Sequence, residues 1–362
     1  MSPKKIALIG YRLNKGGAER VMASLSNFFH SKGLNVHIII ILDDIKYSHS
    51  GTVVNLGKLK NKHNGILNKV KRFLYLKKYL NQQKFDFIID FRFRIKPIQE
   101  IIIAKWLYNT KTIYTVHSSK LENYIPAFSP LSRLIYGKSF CVVSITKAMQ
   151  NMIEQRHQLR NVKTINNPIN SAQIQKKVAD KINLDFEYII GVGEYDTQIK
   201  QFDILIATYA KSILPKKEIH LVILGTGKNK DYLLSIGREN NIEQYVHLLG
   251  FKENPYIYIS KAKFLVLTSK YEGFPMAIVE SLACSTPVLS FDCPTGPREI
   301  ITHKENGLLV ENQNTSKMID SMNLFVENEA LYNHCKKQAL SSVDKFSIDR
   351  IGKQWLDLMN NN

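Results

Sequence analysis

Two patterns of apolar positions alternate along the 362-residue chain. Short apolar runs bounded by Gly, Asn or Pro predict buried parallel strands, and apolar positions every three or four residues predict helices. In the first half, strand 6–10 runs into Gly16-Gly17, a helical pattern through Val21, Leu25, Phe28 and Phe29 to Gly33, and strand 36–42. Strands follow at 86–91 and 111–116 with helix 98–108 between them, then strand 139–145, a helix from 146, and 162–165. Asn166-Asn167-Pro168-Ile169-Asn170 has loop chemistry and marks a boundary near 170. The pattern then restarts with strand 188–192, helix 201–213, strands 219–224, 246–251 (an edge strand) and 264–268, a helix opening at Pro275, strands 288–291 and 306–310, and helices over 315–359. Strand–helix–strand alternation of this kind predicts an α/β fold of two Rossmann-like domains, 1–170 and 171–343, with 344–362 as a closing helix.

Composition adds class and compartment. With 44% hydrophobic and 22% charged residues the chain reads as a soluble globular protein. Cys141, Cys284, Cys293 and Cys335 show no metal-ligand spacing and read as thiols of a reducing compartment. Ile6 to Tyr11 is too short for a signal segment, and no apolar run approaches the length of a membrane span. The expectation is a cytoplasmic protein.

Charge divides the chain. Residues 1–170 hold 28 Lys+Arg against 8 Asp+Glu, a net of +20, whereas 171–362 hold 22 against 23, a net of −1. The first half therefore expects a polyanionic partner. No helix-turn-helix, zinc-finger or RNA-binding signature accompanies the charge, which points away from nucleic acid. The anionic inner face of a membrane, or a phosphorylated glycolipid, fits better. Residues 58–84 are the most basic stretch (Lys58, Lys60, Lys62, Lys69, Lys71, Arg72, Lys77, Lys78, Lys84), and apolar residues interleaved over 66–82 predict an amphipathic helix. Such a helix either lies on a membrane surface or forms an outer helix with a solvated basic face.

The chemistry centres on Tyr271-Glu272-Gly273-Phe274-Pro275-Met276-Ala277-Ile278-Val279-Glu280, which follows strand 264–268. Pro275 suits the first helical position, and Met276, Val279, Leu282 and Ala283 form the inward stripe. The free amides of the first turn and the positive end of the helix dipole suit an anion such as a diphosphate. Glu272 and Glu280, with seven residues between them, are good acceptors for sugar hydroxyls. Together these features suit a nucleotide-sugar.

This segment, with Ser285-Thr286-Pro287-Val288, resembles the acidic E-x7-E motif of the retaining GT-B glycosyltransferases of family four. Gly16-Gly17-Ala18-Glu19-Arg20 resembles the first loop of that family, and Gly225-Thr226-Gly227 its later glycine turn. The resemblance implies two Rossmann-like domains facing across a cleft, with the last helix crossing back to the first domain. It implies a retaining transferase for bacterial surface glycans, with a UDP-linked hexose or N-acetylhexosamine as donor and a glycan or glycolipid acceptor. Glu272 would grip the donor sugar, Glu280 the ribose, and His117, after strand 111–116, the sugar. Gly16, Gly17, Gly193, Gly225, Gly273, Phe274, Pro275 and Met276 would line the donor, and backbone at Phe251 would read the base. The family carries Gly-Arg and then Lys after strand 188–192; here Glu194 replaces the arginine, Lys200 keeps the lysine, and Arg298 is a candidate substitute. No Asp-x-Asp occurs, so neither a metal nor another cofactor is expected. Two other readings remain open: a sugar-nucleotide epimerase, which would turn over the donor without an acceptor, and a non-catalytic nucleotide-sugar-binding scaffold, which would bind without turnover.

Overall fold

A computed structural model describes residues 3–61, 65–179, 182, 184–196 and 198–360; Lys62 of the basic stretch and Thr197 of the loop after Gly193 lie outside the described residues. The chain forms two compact units, one made of residues up to Pro168 together with those from Ile348, the other spanning Ile169–Ser347.

The first unit is built on a seven-stranded parallel sheet of order β3-β2-β1-β4-β5-β6-β7. Its strands are β1 (Lys5–Gly10), β2 (Asn35–Ile40), β3 (Thr52–Asn55), β4 (Phe87–Asp90), β5 (Lys111–Val116), β6 (Cys141–Ser144) and β7 (Val162–Thr164). The central strands carry helices on both faces, which is why they read as unbroken apolar runs; all four residues of β4 and of β6 are buried. Helix α1 (Gly17–Ser31) packs on β1 and β2 and against the C-terminal helix Ile348–Asn360. Phe28 and Phe29 share a core there with Ile351, Trp355 and Met359. Gly352 makes the approach possible, since a Cβ at that position would lie 2.3 Å from the Phe28 ring.

Helix α2 (Ile66–Gln83) matches the expected 66–82 closely and buries only Asn68, Leu76 and Leu80. The helix expected over 98–108 is instead a short α-helix, α3 (Pro97–Ile102), continued by a π turn over Ile103–Leu107. Pro97 stands in its first turn, where a missing N–H costs nothing. The strands expected at 36–42 and 139–145 are Asn35–Ile40 and Cys141–Ser144, although Ile41 and Phe140 still donate their N–H groups to Gly10 and Thr112 of the neighbouring strands.

The second unit carries a six-stranded parallel sheet of order β10-β9-β8-β11-β12-β13. Its strands are β8 (Tyr188–Val192), β9 (His220–Leu224), β10 (Val246–Gly250), β11 (Leu265–Leu267), β12 (Val288–Phe291) and β13 (Gly307–Val310). β10 lies at the edge, as its pattern predicts. The unit break after Pro168 falls two residues before the expected boundary, and the returning segment joins the first unit from Ile348, not from 344. At that passage Ile169 donates its N–H to the Phe346 carbonyl at 2.8 Å, so the outgoing and returning segments are held side by side. No helix among the described residues is long and apolar enough to cross a membrane.

Candidate active site

The second unit concentrates small and polar residues at the carboxyl ends of β8, β9 and β11, where open α/β sheets bind ligands. Gly193 and Gly225 let the first two strand ends meet. A Cβ on Gly225 would fall 1.9 Å from the Gly193 carbonyl oxygen, so only glycine fits there. The methylene stem of Lys200 runs over Gly193, where a Cβ would lie 3.0 Å from Lys200 Cε.

Thr268, directly after β11, fixes the neighbouring loop by donating its hydroxyl to the carbonyls of Lys200 and Gln201, both at 2.9 Å. Lys270 N–H adds a bond to the Ile199 carbonyl at 2.8 Å. This stitching brings Lys200 Nζ to 2.6 Å from Glu272 Oε1, which also accepts from Ser269 Oγ at 2.6 Å. Thr295 Oγ1 donates to the Glu272 carbonyl. Gly296, at φ 99°, packs so closely on the following turn that a Cβ would be 2.5 Å from Pro275 Cδ.

The helix after this turn is Met276–Ala283, with Pro275 as its extended cap, not its first helical residue. The physical reason is that Ile278 and Val279 both direct their N–H groups to the Pro275 carbonyl, which opens the intrahelical ladder at the proline. The amides of Met276 and Ala277 then have no intrahelical acceptor. The one-sided stripe expected from Met276, Val279, Leu282 and Ala283 is also corrected. Met276 is only half-buried, and the helix is buried on every side from Ile278 onward because it packs on several neighbouring elements. Glu280 is consequently 8% exposed and accepts from the Tyr256 hydroxyl at 3.3 Å. Phe274 is buried edge-on against Phe346, with ring centroids 5.1 Å apart.

In the first unit, His117 follows β5 and stacks on Phe91 with centroids 5.6 Å apart. Neither ring nitrogen makes a hydrogen bond of normal geometry. Burial, and then the nearby Arg94 charge, push its pKa down to about 3, with the Asn167 carboxamide opposing in part. The imidazole is neutral at physiological pH and keeps both a donor and an acceptor to offer. Gly16 caps α1 at φ 76°, and the Glu19 carboxylate folds back over it; Gly17 faces open space. Burial lifts the Glu19 carboxyl above its usual range.

Beneath His117 lies a buried charge network that the sequence reading did not single out. Arg92 bonds Asp90 at 2.7 Å and Glu100 at 2.9 Å, and Tyr108 donates to Asp90 at 3.1 Å. Arg94 donates to the carbonyls of Tyr124, Arg92 and Thr115. The available signal was Phe91-Arg92-Phe93-Arg94, arginines at alternate positions directly after a buried strand.

The description "Glycosyl transferases group 1" matches residues 172–341, and "Glycosyltransferase Family 4" matches 15–173. The chain is 30% identical, over 98% of its length and 99% of the relative's, to the N-acetylgalactosamine-N,N'-diacetylbacillosaminyl-diphospho-undecaprenol 4-alpha-N-acetylgalactosaminyltransferase of Campylobacter jejuni. It belongs to glycosyltransferase family 4. The lipopolysaccharide 1,6-galactosyltransferase of Escherichia coli is 26% identical, with 94% of each chain covered. Among solved structures, Anabaena HepE in complex with UDP superposes with a TM-score of 0.78 at 16% identity, over 99% of this chain and 100% of that one, which places the chain in the GT-B fold.

For a family 4 enzyme, the structure brings Gly193, Lys200, Glu272, Gly273, Phe274, Pro275 and Met276 together, with Gly225 against Gly193 and Glu280 in the helix that follows. Gly16, Gly17 and His117 belong to the first unit. Arg298 is engaged by Asp292, whose two carboxylate oxygens each lie 3.0 Å from its Nε. In this structure its guanidinium is paired with that carboxylate. The Phe251 side chain is exposed beyond the end of β10, and the Gly250 carbonyl just before it accepts from the Gly225 N–H at 3.0 Å, which sets the backbone there next to the Gly193–Gly225 contact. Sequence reasoning also passed over Thr268, Ser269 and Thr295, the hydroxyls that fix Lys200 and Glu272. A Thr-Ser pair directly between the strand and the first glutamate was the signal for two of them.

Proposed function

We propose that this chain is a retaining, metal-independent glycosyltransferase that moves a hexose or N-acetylhexosamine from a UDP-sugar to a growing bacterial surface glycan. The observation that carries the reading is the Lys200–Glu272–Ser269 cluster beside the start of helix Met276–Ala283. It sets a cation and two amides without intrahelical acceptors next to a carboxylate, which suits a diphosphate joined to a sugar. Lys200 and the amides of Met276 and Ala277 take the charge that develops on the departing diphosphate. Glu272 holds sugar hydroxyls, Glu280 the ribose diol, and neutral His117 offers its ring nitrogens to the sugar. The anomeric C–O bond to phosphate breaks while the acceptor oxygen bonds the same carbon on the same face, and the acceptor's proton passes to the leaving phosphate oxygen.

The relatives' names support the substrate class, since one acts on a diphospho-undecaprenol-linked saccharide and another on lipopolysaccharide. We place the enzyme in the cytoplasm at the inner membrane face, docked through the basic first unit. No Asp or Glu occurs between Lys58 and Lys84 to offset that charge.

The test is a thermal-shift screen of nucleotide-sugars followed by transfer assays with and without EDTA. One UDP-sugar should stabilise the protein by about 2.7 kcal/mol at 100 times its dissociation constant. Transfer should survive EDTA and give a product of unchanged anomeric configuration. Stabilisation without turnover on any lipid-linked or lipopolysaccharide acceptor would replace this reading with that of a binding scaffold.

A further inference from the structure

The first unit contains a cavity of about 690 Å³ bounded by α2, α3 with its π turn, and the ends of β1 and β4. That volume lies in the range of small-molecule sites. Its depth is apolar, with Ile9, Leu56, Leu76, Ile103 and Leu107 buried on its walls. Its mouth carries exposed apolar side chains, among them Val70, Ile95 and Ile98 at 48%, 62% and 77% exposure. Ten of the seventeen exposed large hydrophobic residues among those described fall between Leu59 and Trp106. Exposed apolar side chains gathered at a cavity mouth mark an interaction site.

Charge is arranged by depth. At the floor, Arg92 is neutralised by Asp90 and Glu100, both within 2.9 Å. An anion seated there would meet two carboxylates already bonded to the Arg92 guanidinium. At the mouth, Lys69, Arg72 and Lys96 also line the cavity and make that end cationic. The gradient runs from apolar and neutral inside to apolar and cationic outside, which is complementary to a hydrocarbon chain with an anionic head. A water-soluble phosphate compound would leave the apolar depth unmatched, and a neutral lipid would leave the cationic rim unmatched.

We propose that this cavity takes one acyl chain of an anionic bilayer phospholipid, with the phosphate held by Lys69, Arg72 and Lys96. The inference rests on the reading that the basic unit docks on an anionic membrane, and deepens it: docking includes capture of a lipid chain, not surface attraction alone. Surface attraction between exposed charges is screened within a few ångströms at 1 M salt, whereas a buried chain is not.

The experiment uses the full chain and dioctanoyl phosphatidylglycerol below its critical micelle concentration, followed by titration calorimetry. The expected result is one saturable site per chain. Glycerol phosphate, which has the head and no chain, should bind at least about tenfold more weakly, as should farnesyl phosphate, whose branched chain represents a polyprenyl source. The neutral polar pair Val70→Asn/Ile98→Asn keeps the charge and should weaken binding by about tenfold or more. Lys69→Glu/Lys96→Glu should weaken it similarly. All four positions are exposed, so the fold should tolerate the changes. Absence of binding, non-saturating binding of many lipids, indifference to the Asn pair, or preference for farnesyl phosphate would each overturn the proposal. Phosphatidylglycerol vesicles separate it from the reading it rests on. Protein that sediments with vesicles at low salt yet ignores the monomeric lipid keeps membrane docking and loses the cavity; protein that binds the monomer and ignores vesicles loses the docking.

Discussion

Lys200 and Glu272 meet at 2.6 Å with little exposure, and Ser269 completes the carboxylate's partners. Substituting Glu272→Ala removes an acceptor that the transition state needs and leaves the lysine without its partner. Turnover should fall by about a hundredfold or more with circular dichroism unchanged; near-normal turnover would remove Glu272 from the site. His117 gives a prediction in pH. Its folded-state pKa lies near 3, below the unfolded value of about 6.5. Between those values the unfolded chain binds the extra proton, so stability is complete above pH 6.5 and falls as pH drops toward 3. His117→Phe should flatten the acid limb of a denaturation-versus-pH curve measured on the whole chain, and an unchanged limb would mean the ring is not held neutral. Glu272, Glu280 and Lys200 were legible because one local string carries them. Their support was not, because Thr295 and Asp292 reach the site or its candidate arginine through turns that only tertiary contact defines.

At the scale of elements, the strands were readable because both faces of each central strand are buried. β3 was missed because it is a four-residue edge strand with one fully buried position. Helix Ser129–Tyr136 was missed because it is short and opens on Ser-Pro, which reads as a turn. The α3 segment misled because α and π turns share the same apolar spacing over a few residues. Packing of elements on one another rests on glycines that no local pattern explains. Gly225→Ala forces a methyl group into the Gly193 carbonyl and should cost about 2 kcal/mol or more, visible as a lower denaturant midpoint, together with weaker nucleotide-sugar binding. Gly352→Ala drives a methyl group into the buried Phe28 ring and should cost about 1–3 kcal/mol without touching donor binding. A Gly352 variant with wild-type stability would mean that α1 and the C-terminal helix can move apart freely.

Across the whole molecule, the division of charge was legible from residue counts, while the cavity behind the basic helix was not. Its walls come from segments separated in sequence, from Ile9 to Tyr108, and no single stretch announces it. Charge reversal at Lys71, Lys77 and Lys78 should abolish vesicle sedimentation at low salt while leaving donor-induced thermal stabilisation intact. Loss of both would point to misfolding instead.

The C-terminal helix has a consequence for how the protein is made. Synthesis runs from the N-terminus, and domains ordinarily fold in the order they emerge. Here the first unit's core includes Ile351, Trp355 and Met359, which are translated after the whole of the second unit. The nascent first unit therefore waits with the Phe28 and Phe29 face of α1 uncovered, and the second unit, whose residues are contiguous in the chain, can close first. The second unit can thus be complete before the first, the reverse of the order in which the two begin to emerge.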